Sequence, residues 1–129
     1  VNGRIDTEIP VVTGCSSLRR DTPSGVYDIY FMQRNRTLRG ENYTSFVKYW
    51  IAFYGHYGIH DASWRNKFGG DLYVHSGSHG CVNLPLSKAK EIYSLAEKGI
   101  PVVTYYREKI KLRSHNALIS NAYSYYDGD

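Results

Sequence analysis

The chain has 129 residues, a formal net charge of +4 from 16 basic and 12 acidic residues, 13 tyrosines and two cysteines. That length suits a single domain with its own apolar core, and two cysteines are too few for a disulfide framework. The basic residues are scattered without a run, so the sequence offers no nucleic-acid-binding arm, and no stretch approaches the roughly 18 apolar residues of a membrane span.

The chain opens without an initiator methionine, a basic leader or a signal-type apolar stretch, and so reads as a processed or trimmed piece. Asn2 and Gly3 stand where a type I′ hairpin turn would place them, and Thr7 to Val12 read as the strand returning from it. The strand before that turn is missing, which fits a truncated hairpin and a frayed end equally. Gly14 to Ser17 break the pattern, Asp21 to Gly25 ("DTPSG") form a turn, and Val26 to Met32 alternate as a strand. Ser45 to His60 is aromatic and β-branched, which predicts one or two further strands ending in His56, Gly58 and His60. A polar loop, "DASWRNKFGG", leads to "HSGSHGCVNLP" at 75–85.

Beyond Pro85 the period changes. Ala89, Ile92, Tyr93 and Ala96 recur at helical spacing, with Ser87 as N-cap and Gly99 where a helix C-terminus favours glycine. Pro101 to Tyr106 return to strand, and residues 107–129 are a mixed, tyrosine-rich extension. The pattern predicts one domain over residues 1–129, mainly β, with one principal α-helix packed on it.

Four of the five histidines, together with Cys81, fall between residues 56 and 81. Zinc ligation is one reading of such a cluster. His56 and His60 are four apart, but in a strand-like, glycine-broken stretch that spacing does not bring them together, and no C-x-x-C pair is present. The cluster is therefore not read as a metal site, and no cofactor is expected. Nucleophilic catalysis is the other reading: a cysteine thiol needs a nearby histidine or backbone dipoles to become a thiolate. Gly80 allows a tight turn that aims backbone N–H groups at an oxyanion, and His60 can reach Cys81 if adjacent strands carry the two. A buried, inert cysteine is the competing outcome.

"IHDASW" at 59–64, "FGG" at 68–70 and "SGSHGCVNLP" at 76–85 resemble the signature of the L,D-transpeptidase (YkuD-type) catalytic domain, its Gram-positive branch in particular. Similarity extends to "VVTG" at 11–14, "TPSGVY" at 22–27 and "GIPVVTYY" at 99–106, so it covers about residues 3 to 106. The resemblance implies a β-sandwich-like fold and an extracytoplasmic enzyme acting on peptidoglycan stem peptides. It implies Cys81 as nucleophile, forming a thioester with a donor tetrapeptide and releasing D-alanine, and His60 as proton donor and acceptor. The thioester then passes to an amine of an acceptor stem in a 3-3 crosslink. Water as acceptor would make the enzyme an L,D-carboxypeptidase, and loss of the chemistry would leave a wall-binding module.

By the same resemblance His79, Gly80 and Cys81 supply oxyanion donors, and His79 tunes the thiolate as an imidazolium. Ser78 and Asn83 hold the loop or touch substrate, and Asp61 borders the substrate while its backbone carbonyl orients His60. Tyr57 and Trp64 line the groove or enter the core, while His56 and His75 are peripheral. Carbapenems are expected to acylate Cys81. Cys15 stands where the family usually has a lysine or another polar residue. A Cys15–Cys81 disulfide would remove the nucleophile, and the two are expected apart.

Overall fold

The computed structural model describes residue 5 and residues 7–40 and 42–105. In chain order the elements are β1 (Gly25–Asp28), β2 (Phe31–Gly40), β3 (Tyr43–Tyr54), β4 (Tyr57–Asp61), α1 (Leu72–His75), β5 (Val82–Leu84), α2 (Leu86–Leu95) and β6 (Pro101–Thr104). They form a four-stranded sheet, β2-β3-β4-β5, and a two-stranded sheet, β1-β6. The mainly β, sandwich-like class read from the sequence is the one found.

The expected strand from Val26 to Met32 divides, because the chain changes sheets within it. Val26 and Tyr27 pair with Val103 and Val102 of β6, whereas Phe31 and Met32 pair with Ala52 and Ile51 of β3. At the crossing Ile29 N–H donates to Ile100 O at 2.9 Å and Tyr30 N–H to Ala52 O at 3.0 Å, so no backbone donor is lost. β2 then runs on through "RNRTLRG", a polar stretch that alternation alone did not mark. Its cations instead lie over aromatic rings, with the Arg36 guanidinium 5.6 Å from the Trp50 ring centre.

β3 is exposed on alternate residues as far as Lys48 and buried on both faces from Tyr49 to Phe53. One apolar cluster gathers Val47, Trp50 and Ala52 with half-buried Leu38 and Cys81. The other gathers Tyr49, Leu84 and Ala89 under α2, with Ile59, Ile92 and Tyr93. Burying a side chain such as Val47 or Ile51 in these layers stabilises the fold by about 1.5–3 kcal/mol.

Three expectations need correction. Thr7 to Val11 form no strand: Val12 alone bridges, to Asn83, while Val11 O accepts the N–H of loop residue Gly69. Helix α2 starts one residue before Ser87, with Pro85 as its N-cap, so Ser87 lies in the first turn. It also ends at Leu95, and Gly99, at φ +93°, serves a turn closed by Ile100 N–H on Glu97 O. The short α1 was not anticipated, since one turn is too brief for a 3.6-residue period. The Asn2–Gly3 turn, Tyr106, His115 and the extension at 107–129 lie outside the described residues.

Candidate active site

Antiparallel neighbours need only a hairpin, but β4 and β5 run parallel and require a crossover. Residues 62–81 make it, and so return "SHGC" to the sheet beside β4. The register pairs His60 with Asn83. Side chains alternate along a strand, so Cys81, two residues before Asn83, emerges on the same face as both. Together they border a cleft of about 140 Å³. The β2–β3 hairpin supplies one wall with Leu38, Tyr43 and Ser45; the loop after β4 supplies Trp64 and Arg65; Gly77, Ser78 and His79 complete it.

His60 is 4% exposed, and its Nδ1 lies 2.6 Å from the Asp61 carbonyl oxygen. A carbonyl can only accept, so Nδ1 carries the proton and Nε2 is left unprotonated as a base. Burial lowers the His60 pKa, against the pull of the Asp61 carbonyl and carboxylate, with Arg65 lowering it further. The imidazole is therefore neutral at neutral pH. Burial also pushes the Cys81 thiol up to about 11, opposed by a hydrogen bond from the Gly58 backbone. The Cys81 Sγ–H donates to His56 O at 3.7 Å. At rest the thiol and the imidazole are both neutral, so a thiolate at Cys81 requires a base to take its proton.

The turn carrying Cys81 is clamped from within. Ser78 Oγ accepts the Gly80 N–H at 3.1 Å and donates to Cys81 O. From outside, Ser78 N–H donates to Thr13 O and Cys15 N–H to Ser78 O, each at 2.9 Å. Gly80 sits at φ +134°, and a Cβ there would lie 2.4 Å from the Tyr57 ring. Tyr57, left by the sequence to the groove or the core, thus roofs Gly80 and is not among the cleft walls. Trp64, 50% exposed, does line the cleft, with its ring 6.0 Å from that of His60.

Several other residues differ from the sequence reading. The Gly80 N–H is spent on Ser78 Oγ and is not free for an oxyanion. The pKa of His79 is lowered by burial and then by Arg20, so it is no resident imidazolium; its ring stacks on Tyr43 at 4.2 Å. Asp61 does orient His60 by its carbonyl, but its carboxylate faces away from the cleft, accepting from Lys48 N–H at 2.9 Å and Tyr49 N–H at 2.8 Å. Asn83 is 1% exposed, bonded through its backbone to Val12, with no partner for Oδ1. His56 and His75 are exposed and outside the cleft walls. Among the described residues no three His, Cys, Asp or Glu side chains converge as a metal site would need.

Both cysteines are free. Cys15 is 1% exposed, with its sulfur 3.4 Å from Ser17 Oγ and from Val74 O. The Ser17 hydroxyl foremost lowers its pKa, burial opposing, with backbone hydrogen bonds from Gly77, Leu18 and Ser17 adding to the fall. Sequence reasoning missed Tyr43 and Arg65. One tyrosine among 13 carries no signal, and Arg65 follows "HDASW" without any spacing to mark it.

A model of the L,D-transpeptidase catalytic domain matches residues 1–104. The chain belongs to the L,D-transpeptidase catalytic-domain family. Solved structures of L,D-transpeptidases agree. A crystal structure of the Enterococcus faecium L,D-transpeptidase, in a cysteine-to-serine mutant, is 37% identical with a TM-score of 0.76, covering 81% of this chain and 43% of that one. The ertapenem-acylated catalytic domain of the E. faecium enzyme is 37% identical with a TM-score of 0.70, covering 81% of this chain and 84% of that one. An L,D-transpeptidase from Mycobacterium smegmatis, 20% identical with a TM-score of 0.70, shares the fold, covering 82% of this chain and 52% of that one. This L,D-transpeptidase domain thus spans less than half of the longer E. faecium chain. No curated protein matches it.

Proposed function

We propose that the protein is a peptidoglycan L,D-transpeptidase in which Cys81 is the nucleophile and His60 the proton carrier. The observation that carries this reading is the shared cleft: Cys81 beside a buried histidine whose Nδ1 is tied to Asp61 O, leaving Nε2 as the base. His60 takes the Sγ proton as sulfur attacks the carbonyl carbon of the third residue of a donor stem. The bond to D-alanine then breaks, and the proton passes from His60 to the departing amine. An acceptor amine attacks the thioester, gives its proton to His60, and the sulfur leaves to be reprotonated.

The N–H groups of His79 and Cys81 are the oxyanion donors in this scheme, the Gly80 N–H being engaged by Ser78. Ser78 acts by holding the turn, Asn83 by offering Oδ1, and Trp64 by contacting the stem peptide. Residues 1–129 are read as one catalytic domain working on its substrate outside the cytoplasmic membrane; among the described residues no helix is long and apolar enough to cross one. Acylation of the E. faecium relative by ertapenem supports the same outcome at Cys81.

The test is incubation with a defined disaccharide tetrapeptide. A crosslinked dimer and free D-alanine, both lost in Cys81→Ala, are expected. Free tripeptide without dimer would make the protein a carboxypeptidase, and turnover by Cys81→Ala would overturn the assignment. Intact-mass spectrometry with a carbapenem should show one adduct on the native protein and none on that variant.

A further inference from the structure

The acyl-transfer scheme leaves a cation in the cleft unused, one without an anion among the described residues. Arg65 is half-buried on the wall shared by His60 and Cys81. Its Nη1–H donates to Ser76 O at 2.6 Å, and its Nε–H is buried without a partner. Among the described residues no carboxylate pairs with it; the ion pair there is Lys88 with Glu91. The acid nearest in sequence, Asp61, is committed to the backbone of Lys48 and Tyr49. The Cys15 thiol acts on Arg65 electrostatically but is engaged by Ser17 and Val74. Burial pushes the Arg65 pKa down, the sign of a guanidinium that has lost water, yet arginine stays charged throughout. A partly desolvated cation with no carboxylate partner among the described residues is poised to pair with a ligand carboxylate.

We propose that Arg65 receives the terminal carboxylate of the donor peptide and so selects stems that end one residue beyond the attacked carbonyl. The inference rests on the peptide-transfer reading above. In such a donor the carboxylate lies one residue from the carbonyl that Cys81 attacks, roughly 3.5 Å along the chain, so its receptor has to share the cleft with the thiol. Of the other ionisable groups on the walls, His60 and His79 have lowered pKa values and Tyr43 a raised one, leaving Arg65 as the charge able to recognise an anion. The planar guanidinium suits a carboxylate. Extending the donor by a residue replaces that carboxylate with a neutral amide, which Arg65 holds weakly.

The experiment compares a stem tetrapeptide with its C-terminal carboxamide. Binding is measured by calorimetry on Cys81→Ala, where no chemistry intervenes, and on Cys81→Ala combined with Arg65→Gln or Arg65→Lys. Cys81→Ala is expected to bind the acid about tenfold to a hundredfold tighter than the amide. Arg65→Gln abolishes that preference by weakening the acid alone, and Arg65→Lys keeps part of it. With Cys81 intact, Arg65→Gln should lower kcat/KM for the acid by a similar factor and leave the amide unchanged. Equal affinity for both peptides, no measurable binding of either, or an equal loss for both in Arg65→Gln overturns the proposal; the last would mark Arg65 as a brace for Ser76. If the native protein forms neither dimer nor tripeptide, the transfer reading fails, while the acid-against-amide binding still decides Arg65.

Discussion

The two cysteines have opposite environments. Cys81 is half-buried at the cleft, and burial pushes its thiol up to about 11. Cys15 is sealed at 1% exposure, and the Ser17 hydroxyl pulls its thiol down. Acidity alone would choose Cys15 as the reactive group. Access and a shared base favour Cys81 in the proposed reaction, since attack needs an approachable sulfur and a place for its proton. Cys15 instead joins the turn at residues 15–18 to α1 and to the Ser78 strand bridge, so its polar contacts serve position.

The largest test of this contrast is deletion of each sulfur. Cys81→Ala should lower acyl transfer by about 10⁴-fold or more, and Cys15→Ala should leave turnover within about twofold, both read as dimer formed per unit time. Equal losses would end the distinction. His60→Gln comes next, with a fall of about 10²–10⁴ in kcat expected for loss of a positioned base.

His60 also predicts a pH effect on stability. Its folded pKa lies below the ordinary 6.5, so its contribution is present above pH 6.5 and is lost as pH falls through the folded value. Urea midpoints measured downward from pH 7 should fall less steeply for His60→Gln than for the native chain.

Thiol labelling sharpens the comparison further. With a thiol near 11, iodoacetamide alkylation of Cys81 should climb about tenfold per pH unit from pH 8 to 10. A rate already level at pH 7 would reveal a resting thiolate. Cys15 should label slowly across the range.

A structural effect follows at Asp61, which links His60 to β3. Asp61→Ala leaves the N–H groups of Lys48 and Tyr49 without their acceptor and should cost about 2–4 kcal/mol in denaturant unfolding. The smallest effect expected is the stability cost of Cys15→Ala, about 1 kcal/mol from a small buried void.

Much of the site was legible because its chemistry is local. "SHGC" carries the proposed nucleophile and the turn residues around it within four positions, and His60 stands at the end of an apolar strand. Aromatic and β-branched composition also marked β3 and β4, because such side chains suit strands packed against a core. What escaped depended on distant partners. The division between β1 and β2 arises because Ile29 bonds to Ile100 beside β6 and Tyr30 to Ala52 of β3, and β2 continues through arginines because Arg34 lies over the Tyr49 ring and Arg36 over those of Phe31 and Trp50. Tyr57, read as lining the groove or entering the core, instead covers Gly80 from a neighbouring strand.

By itself, then, the sequence determined the mainly β class, the helix after Pro85 and the cysteine–histidine pair, since periodicity and residue chemistry act over a few neighbouring positions. Only the tertiary structure decided which thiol is open, which N–H of the turn is already spent, and that Arg65 stands beside Cys81 with no carboxylate partner among the described residues. Those properties depend on burial and on hydrogen-bond partners brought together from segments far apart in the chain, and no local spacing encodes them.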